Sequence, residues 1–417
     1  MVPNTNRSGI QAEKMRCLMI VTHYCPLVGG AQTVYDALAR CAPDQFHVLT
    51  SNRDYTTGEI VDGFAAFDSA APYRITRTDR IRQDLQGDKP NLLEKVSSVA
   101  TGWWLNHKLV SRVKQICRAE DIDTICVGVN EALMWLPSAL QREFDQQVIV
   151  FTHGEEISQT AHSAKAEHNR RRALHAADGI IAVSNYTASL LAQKYDIAKE
   201  KIYLSTNGVD LQKFCGKVPP TARETLDFPA GSTVFSCGRL VARKGFDKLV
   251  EAWPGVVKAI PDATLLIGGT GLLEGSLNAR VQELGLQENI QFLGAIKPDD
   301  MPSYYGLASL FCMPNRTMPD GDTEGFGLVF LEASAMGTPS IAGRAGGTSD
   351  AVVEGETGLL VDGEDISEIE SAILTLLTND ASRTVMAAAA LRFASNQGWP
   401  TKAAGIIDFM KTGGTEV

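Results

Sequence analysis

The stretch Thr323–Met336, TEGFGLVFLEASAM, places two carboxylates, Glu324 and Glu332, around a glycine-rich turn and an apolar run. The turn, Gly325–Gly327, comes directly before the apolar run, whose composition predicts a helix. Glycines before a helix let a ligand approach the backbone closely, and the free N–H groups of the first turn favour an anion. Glu324 then lies in the loop and Glu332 about one turn inside the helix. The stretch therefore predicts a site for a diphosphate-like anion, with carboxylates for hydroxyl groups on either side.

The length and composition of the chain limit the kinds of protein that it can be. The chain has 417 residues and is 44% hydrophobic, enough for two or three domains of ordinary size. It has no uninterrupted apolar run of about 18 residues, the length of a membrane-spanning helix. Residues 1–14 are polar and lack the apolar segment of a signal peptide, so we expect a disordered tail. The eight cysteines form no CxxC pair, which predicts free thiols in a cytoplasmic protein.

The net charge of −10 is unevenly distributed. Residues 1–212 contain 23 Lys and Arg against 24 Asp and Glu, whereas the remainder contains 16 against 25. An acidic chain argues against general nucleic-acid binding. The nearly neutral first half is the part that we expect to meet an anionic membrane surface.

Apolar runs that predict buried strands alternate with helical stretches in the first half, at 17–22, 46–50, 124–129, 147–152, 179–183 and 202–205. This alternation indicates an α/β fold with a parallel sheet covered on both faces. Ligands bind such sheets beyond the carboxyl ends of the strands. Gly29 and Gly30 follow the first run, and His153 follows the run at 147–152, so these residues are candidate ligand contacts.

A second unit of the same kind begins after residues 213–231, whose Lys, Pro and Gly content predicts a linker. The strand-like run Thr233–Cys237 is followed by GRLVARKG at 238–245. Arg239 offers a planar fork of donors and Lys244 a compact charge, a combination suited to two phosphates.

The segment EGFGLVFLEASAMGTPSIAG, with its Glu-x7-Glu spacing, resembles the signature of the family 4 retaining glycosyltransferases. The run MPNRT…TEGFGLVFLEA is similar to bacterial GDP-mannose-dependent mannosyltransferases of the phosphatidylinositol type. The resemblance implies a GT-B fold of two facing Rossmann-like domains with a cleft between them. It assigns residues 15–212 to the acceptor domain, on which the last helix (398–417) packs back, and residues 232–397 to the nucleotide-sugar domain.

The same resemblance implies roles for individual residues. His153 and Glu324 contact the transferred sugar, Arg239 and Lys244 grip the diphosphate, and Glu332 holds the ribose. The base is held through backbone groups near residues 292–296. The catalytic candidates are Glu324, Arg239, Lys244 and His153, and the donor-binding candidates are Gly29, Gly30, Gly325, Phe326, Gly327, Leu328, Glu332, Gly294 and Ile296.

The reaction implied is the transfer of a hexose from GDP-mannose or a UDP-hexose to a lipid-linked or cell-envelope glycan acceptor, with retention and without a metal. A nucleoside diphosphate is already a good leaving group, so departure needs charge stabilisation, which two cations and helix-start amides supply. Asp320-Gly321-Asp322 looks like a metal-binding D-x-D, but it lies in a turn-prone loop, and we interpret it as a turn.

Three alternatives stay open at this stage. A glycoside hydrolase would use both glutamates, yet eight helical residues span roughly 12 Å, and hydrolase carboxyls lie roughly 5–9.5 Å apart. A nucleotide-sugar epimerase shares the fold. A non-catalytic nucleotide-sugar sensor would need the same binding residues.

Residues 51–90 are polar and predict an irregular, mobile loop region. The helical stretch at about 91–118 carries Trp103, Trp104 and Lys108. Tryptophans beside cations suit a membrane surface, and the alternative is a core helix with buried tryptophans. We therefore expect a cytoplasmic protein that can associate with the inner face of the membrane.

Overall fold

The structure, a computed structural model, describes residues 15–54, 57–82, 92–128 and 131–413. The tail expected at 1–14 lies outside these residues. Two parallel sheets organise the described chain, one in each half. Most of their strands are apolar runs buried on both faces, as parallel sheets covered by helices require. The α/β prediction is confirmed.

The first sheet has the strand order β3-β2-β1-β4-β5-β6-β7 in the described residues. All of its neighbouring strands are parallel. The strands are β1 Cys17–Ile20, β2 Phe46–Ser51, β3 Arg74–Thr78, β4 Thr124–Gly128, β5 Gln147–Thr152, β6 Gly179–Ala182 and β7 Ile202–Leu204.

Helices connect these strands and cover the sheet. In α1, Val34, Tyr35, Leu38 and Ala39 recur on one face and are buried, which is the pattern of a helix packed on a sheet. The helices are α1 Gly30–Cys41, α2 Phe64–Ala70, α3 Leu92–Glu120, α4 Leu136–Glu143, α5 Glu155–Ser158, α6 Ala164–Ala176 and α7 Asn185–Gln193.

The second sheet has the order β10-β9-β8-β11-β12-β13 and is also parallel. Its strands are β8 Thr233–Cys237, β9 Thr264–Gly268, β10 Ile290–Gly294, β11 Leu310–Met313, β12 Ser340–Gly343 and β13 Gly358–Val361. Its helices are α8 Ala222–Thr225, α9 Phe246–Ala259, α10 Glu274–Glu283, α11 Met301–Leu307, α12 Leu328–Ala335, α13 Ile366–Thr378 and α14 Asp380–Ser395.

A last helix, α15 Trp399–Lys411, packs against α1 of the first unit. The ring of Phe409 stacks on Tyr203 at 4.8 Å between centroids. Where the chain crosses back, the N–H of Val209 donates to the carbonyl of Gln397 at 2.8 Å. The helix α15 is thereby part of the first unit, although it follows the second unit in the sequence.

In the described residues, each sheet has one point at which the strand order reverses, and such points mark ligand sites in α/β proteins. In the first sheet β1 separates β2 from β4, and in the second β8 separates β9 from β11. Crevices at such reversals, beyond the carboxyl ends of the strands, are the usual ligand sites of open α/β sheets. The loop after β1 holds Gly29 and Gly30, and the loop after β8 holds Arg239 and Lys244.

The region 51–90 is more regular than its composition predicts, which corrects the mobile-loop prediction for its described part. It contains α2 and the strand β3, which pairs with β2 alone. An edge strand is only half covered, so its sequence, RITRT, lacks the apolar signature of the buried strands. Arg77 makes an ion pair with Asp68 at 2.8 Å, tying the strand to α2.

Both tryptophans of α3 are exposed, so the alternative of a core helix with buried tryptophans is wrong. Trp103 is 63% exposed and Trp104 is 55% exposed. The Nζ atom of Lys108 lies 4.9 Å from the ring centroid of Trp104. The helix is anchored instead by Leu105, Leu109 and others on its opposite face. In the part of the chain that the structure describes, no helix is long and apolar enough to cross a bilayer.

Candidate active site

A buried ion pair joins the loops that follow β8 and β11. The ammonium of Lys244 donates to Oε2 of Glu324, and each residue is only 9% exposed. Burial acts to raise the pKa of Glu324, but the charges of Lys244 and Arg243 outweigh it and hold this pKa below its usual value. Glu324 is therefore an ionised hydrogen-bond acceptor at neutral pH.

The helix α12 begins directly after Gly327, as the sequence predicts. Gly327 has a φ of +92°, a left-handed conformation that favours glycine. The first N–H groups of a helix have no intrahelical partner, and Leu328 is the first residue of α12. Phe326 is 3% exposed and anchors the turn in the core. The helix start is thus a place where an anion can be bound beside Lys244.

Glycines let the two units touch at this turn. A Cβ on Gly325 would overlap the carbonyl oxygen of His153, and a Cβ on Gly154 would lie 3.0 Å from the Cα of Gly325. Gly30 lies close by, since its Cβ would be 3.8 Å from Cδ1 of Leu328. The loops after β1 and β5 of the first unit therefore face the start of α12.

His153 is held between aromatic rings. Its ring stacks on Phe151 at 5.1 Å, and its Nε2 lies 2.8 Å from the hydroxyl of Tyr35. The backbone N–H of His153 donates to Oε1 of Glu156 at 2.6 Å. Burial lowers the pKa of His153 to about 4, so the imidazole is neutral at physiological pH.

The two arginines of the loop after β8 lie in different environments. The side chain of Arg239 is 69% exposed and lies 3.9 Å from Glu155. Arg243, which the sequence analysis did not select, is 8% exposed and pairs with Glu155 at 3.1 Å and Asp322 at 3.5 Å. Arg243 thereby links this loop to the first unit, while Arg239 extends towards solvent.

Glu332 lies inside α12, away from the ion pair with Lys244. Its Oε2 accepts a hydrogen bond of 2.9 Å from the hydroxyl of Tyr305. Burial raises the pKa of Glu332, and the hydrogen bond from Tyr305 offsets this only in part. The two glutamates therefore occupy different electrostatic environments: cations dominate at Glu324, whereas burial outweighs Tyr305 and the charge of Lys213 at Glu332.

The turns at the carboxyl ends of β8, β9 and β10 contact one another. The N–H of Gly269 donates to the carbonyl of Gly294 at 2.7 Å, and a Cβ on Gly269 would overlap the carbonyl oxygen of Gly238. Gly294 has a φ of +63°, and Ile296 lies over the end of β9 beside Gly268. A continuous edge of backbone thus runs from Gly294 to the loop that carries Lys244.

Residues 28–213 match the family described as Glycosyltransferase Family 4, and residues 222–393 match Glycosyl transferases group 1. A GDP-mannose-dependent alpha-(1-6)-phosphatidylinositol monomannoside mannosyltransferase of Mycobacterium tuberculosis is 30% identical over 403 residues, 95% of this chain and 98% of that protein. The chain belongs to the family 4 glycosyltransferases. A relative with the same description from Mycolicibacterium smegmatis is 33% identical over 306 residues, 72% of this chain and 80% of that protein.

Solved structures share the fold of this glycosyltransferase. HepE of Anabaena, in complex with UDP, has a TM-score of 0.75 at 21% identity, covering 95% of this chain and all of that one. Sucrose-phosphate synthase of Thermosynechococcus elongatus has a TM-score of 0.76 at 22% identity, covering 95% and 98%. The predicted GT-B fold is confirmed. Family membership also confirms the prediction of a glycosyltransferase.

Asp320-Gly321-Asp322 forms a turn in this glycosyltransferase. The N–H of Gly321 donates to the carbonyl of Met318 at 2.9 Å, and Gly321 has a φ of +87°. Oδ1 of Asp320 accepts the N–H of Asp322 at 3.0 Å. Because Asp322 lies beside Arg243, its charge is already compensated within the protein. The turn interpretation of this motif is confirmed.

Sequence reasoning missed Arg243, Glu155, Tyr35 and Tyr305, which position the residues that it selected. A second arginine in GRLVARKG was a visible signal for Arg243, since the motif contains two. The tyrosines carry no such signal, because Tyr35 and Tyr305 lie on helices among buried residues, where an aromatic side chain is usually part of the core.

Proposed function

We propose that this glycosyltransferase transfers mannose from GDP-mannose to a phosphatidylinositol-mannoside-type lipid, with retention of the anomeric configuration. The observation that carries the proposal is the buried pair of Lys244 and Glu324 at the start of α12. It places a cation for the diphosphate and an ionised acceptor for sugar hydroxyls side by side. The choice of donor and acceptor is supported by the descriptions of the mycobacterial relatives.

The proposed reaction proceeds on one face of the sugar. The bond between the anomeric carbon and the β-phosphate oxygen breaks, and the acceptor hydroxyl oxygen bonds to the same carbon from the same side. The acceptor proton passes to the departing phosphate oxygen. Lys244, Arg239 and the first N–H groups of α12 stabilise the charge that develops on the diphosphate. Glu324 and His153 hold the sugar, and Glu332 holds the ribose.

Donor choice is tested by the stability of the protein with GDP, UDP, ADP and their sugars. A ligand that binds only the folded state stabilises it by RT ln(1 + [L]/Kd), about 2.7 kcal/mol at a hundredfold excess over Kd. We expect GDP and GDP-mannose to raise the melting temperature more than the other nucleotides. Transfer to phosphatidylinositol mannosides, with the anomeric configuration of the product read by NMR, tests the acceptor and retention. Stabilisation by UDP alone would contradict the donor proposal.

We expect transfer without a divalent metal ion. Lys244 and Arg239 supply positive charge to the diphosphate, and Asp322 is engaged by Arg243. Activity should therefore persist in EDTA and in Asp320→Ala, which alters only the turn. Asp322→Ala does not test metal binding alone, because it also removes the ion-pair partner of Arg243. Loss of turnover in EDTA that Mn²⁺ or Mg²⁺ restores would contradict this prediction.

The exposed face of α3 is the surface that we expect to meet the membrane carrying the acceptor. Trp103 and Trp104 offer amphipathic rings, and Lys108 offers a cation for anionic headgroups. A basic residue near such a surface contributes about 1 kcal/mol, so Lys108→Glu should weaken vesicle binding at least about fivefold at low salt. Trp103→Ser with Trp104→Ser should weaken it further.

The matched control is Val385→Ser on α14, which removes an apolar side chain that is 70% exposed in the second unit. Binding to vesicles containing phosphatidylinositol is measured by co-sedimentation. Equal binding by the α3 variants and the wild type would mean that this helix does not contact the membrane.

A further inference from the structure

Tyr35 contacts His153 although the two residues lie 118 positions apart. Its hydroxyl lies 2.8 Å from Nε2 of His153, and the two rings meet edge to face at 5.1 Å. Tyr35 is 4% exposed, and a Cβ on Gly128 would overlap its hydroxyl. The phenol is therefore confined to one position, directed at one nitrogen of the imidazole.

The direction of this hydrogen bond follows from the surroundings of the phenol. Burial raises the pKa of Tyr35 well above its ordinary value, so the hydroxyl keeps its proton, and the imidazole is neutral. The Tyr35 hydroxyl has no other hydrogen-bond acceptor among the described residues. If Nε2 carried a proton and donated it, the buried O–H would have no acceptor, which is a costly arrangement. The hydroxyl must therefore donate to Nε2, which leaves the ring proton on Nδ1.

We propose that Tyr35 is a positioning residue that holds His153 as the Nδ1–H tautomer, so that the imidazole donates a hydrogen bond to a hydroxyl oxygen of the transferred sugar. Nδ1 has no partner within the described part of the chain, and His153 is only partly buried. The carbonyl of the same histidine contacts Gly325 beside Glu324. The sugar contact, though not the tautomer, rests on the proposed function.

Tyr35 lies on the same helix, α1, that begins at the glycine loop. The helix begins at Gly30, whose Cα lies near Leu328 across the cleft, and Tyr35 follows about one and a half turns later. One rigid helix thus carries both the glycine loop and the residue that orients His153. Because both depend on α1, the position of the His153 ring relative to the glycine loop is set by this one helix.

The tautomer is tested directly in the unliganded protein, without any substrate. Long-range ¹H–¹⁵N correlation spectra of histidine-labelled protein distinguish protonated from unprotonated ring nitrogens, and the His153→Gln variant assigns the signals. We expect the Nδ1–H tautomer in the wild type and a shift towards Nε2–H in Tyr35→Phe. An Nε2–H tautomer in the wild type, or one that Tyr35→Phe leaves unchanged, would overturn the proposal.

Kinetics test the sugar contact. Tyr35→Phe keeps the ring and removes one hydrogen bond, so kcat/KM for the nucleotide sugar should fall about threefold to tenfold. Affinity for the bare nucleoside diphosphate, which has no sugar, should not change. The matched control is Tyr195→Phe, which removes a buried hydroxyl that donates to the carbonyl of Ile157 at 2.8 Å. It should leave kcat/KM within about twofold of the wild type.

Equal losses in Tyr35→Phe and Tyr195→Phe, or a loss of affinity for bare nucleotide in Tyr35→Phe, would contradict the positioning role. A wild type that turns over no nucleotide sugar would instead contradict the proposed function. The NMR result then still decides the tautomer.

Discussion

Replacing Glu324 by glutamine is expected to lower turnover about tenfold to a hundredfold without weakening the binding of bare nucleoside diphosphate. A hydrogen bond to a charged group contributes roughly 1.5–3 kcal/mol, which corresponds to this range. Glu324 is assigned to the transferred sugar, which the bare nucleotide lacks. Its contact matters most as the sugar loosens towards the transition state, so kcat falls.

The ion pair adds a second consequence to this substitution. Lys244 is engaged by Glu324, and a neutral glutamine at position 324 releases the charge of Lys244. Lys244 is then freer to bind phosphate, so affinity for the bare nucleoside diphosphate should be equal or higher. Calorimetry with the bare nucleotide and steady-state kinetics with the nucleotide sugar measure the two effects separately.

Glu332→Gln is the matched comparison, since it makes the same chemical change eight residues later, one turn inside α12. Glu332 is assigned to the ribose, which every donor and the product nucleotide share. This substitution should weaken the binding of nucleotide and nucleotide sugar alike, by about tenfold to a hundredfold. If only Glu324→Gln lost affinity for the bare nucleotide, the two roles would be reversed. If neither variant changed binding or turnover, this stretch would not be the active site.

The pH dependence of binding separates the glutamates further. Burial raises the pKa of Glu332, whereas Lys244 and Arg243 hold the pKa of Glu324 low. As the pH falls, Glu332 is therefore protonated before Glu324 and loses its charge as an acceptor. The affinity difference between the wild type and Glu332→Gln should therefore narrow at acidic pH. Titration of the nucleotide phosphate is common to both proteins and cancels in the comparison.

Replacing Lys244 by methionine should cost both activity and stability. Loss of the cation that faces the diphosphate is expected to lower kcat about 10²- to 10³-fold. Breaking a buried ion pair from one side leaves an uncompensated charge and costs about 3–5 kcal/mol of the free energy of unfolding. Without Lys244, Arg243 and Arg239 still oppose the effect of burial, but the largest lowering influence is lost, so we expect the folded-state pKa of Glu324 to rise above its unfolded value. The stability loss is therefore present at neutral pH and recedes as the pH falls through that raised pKa.

A double variant distinguishes the two losses. Lys244→Met combined with Glu324→Gln removes both charges of the pair, so stability should largely return while activity stays low. The control is Lys248→Met in α9, whose partner Glu364 at 2.9 Å is 56% exposed. An exposed pair of this kind contributes about 0–1 kcal/mol, so the control should unfold nearly as the wild type does. A Lys244→Met protein with unchanged denaturation and turnover would refute the assigned role.

Several features followed from local sequence alone. The buried strands of both sheets are continuous apolar runs, and β8 occupies Thr233–Cys237 as predicted. The start of α12 after Gly327 and the turn at Asp320–Asp322 were also predictable. These features depend on neighbours within a few residues, on hydrophobic periodicity and on the conformations that glycine permits. The family signature lies in the same short segments.

Other features depended on which distant segments meet. Lys244 and Glu324 are 80 residues apart, and only the packing of the loops after β8 and β11 reveals that they neutralise each other. Composition left open whether the tryptophans of α3 are exposed, and it mispredicted the edge strand β3 as irregular, because composition does not state which face of an element is covered.

Tertiary packing also decides which of Arg239 and Arg243 is buried and paired. Both follow β8 in one glycine-bounded loop, and their sequence positions do not distinguish an exposed cation from a buried one. Glu155 of the first unit and Asp322 of the second converge on Arg243, and this convergence exists only in the folded chain. The sequence by itself therefore determined the elements and the chemical inventory of the site. The tertiary structure decided which charges are paired, since long-range electrostatic partners are chosen by packing and not by local pattern.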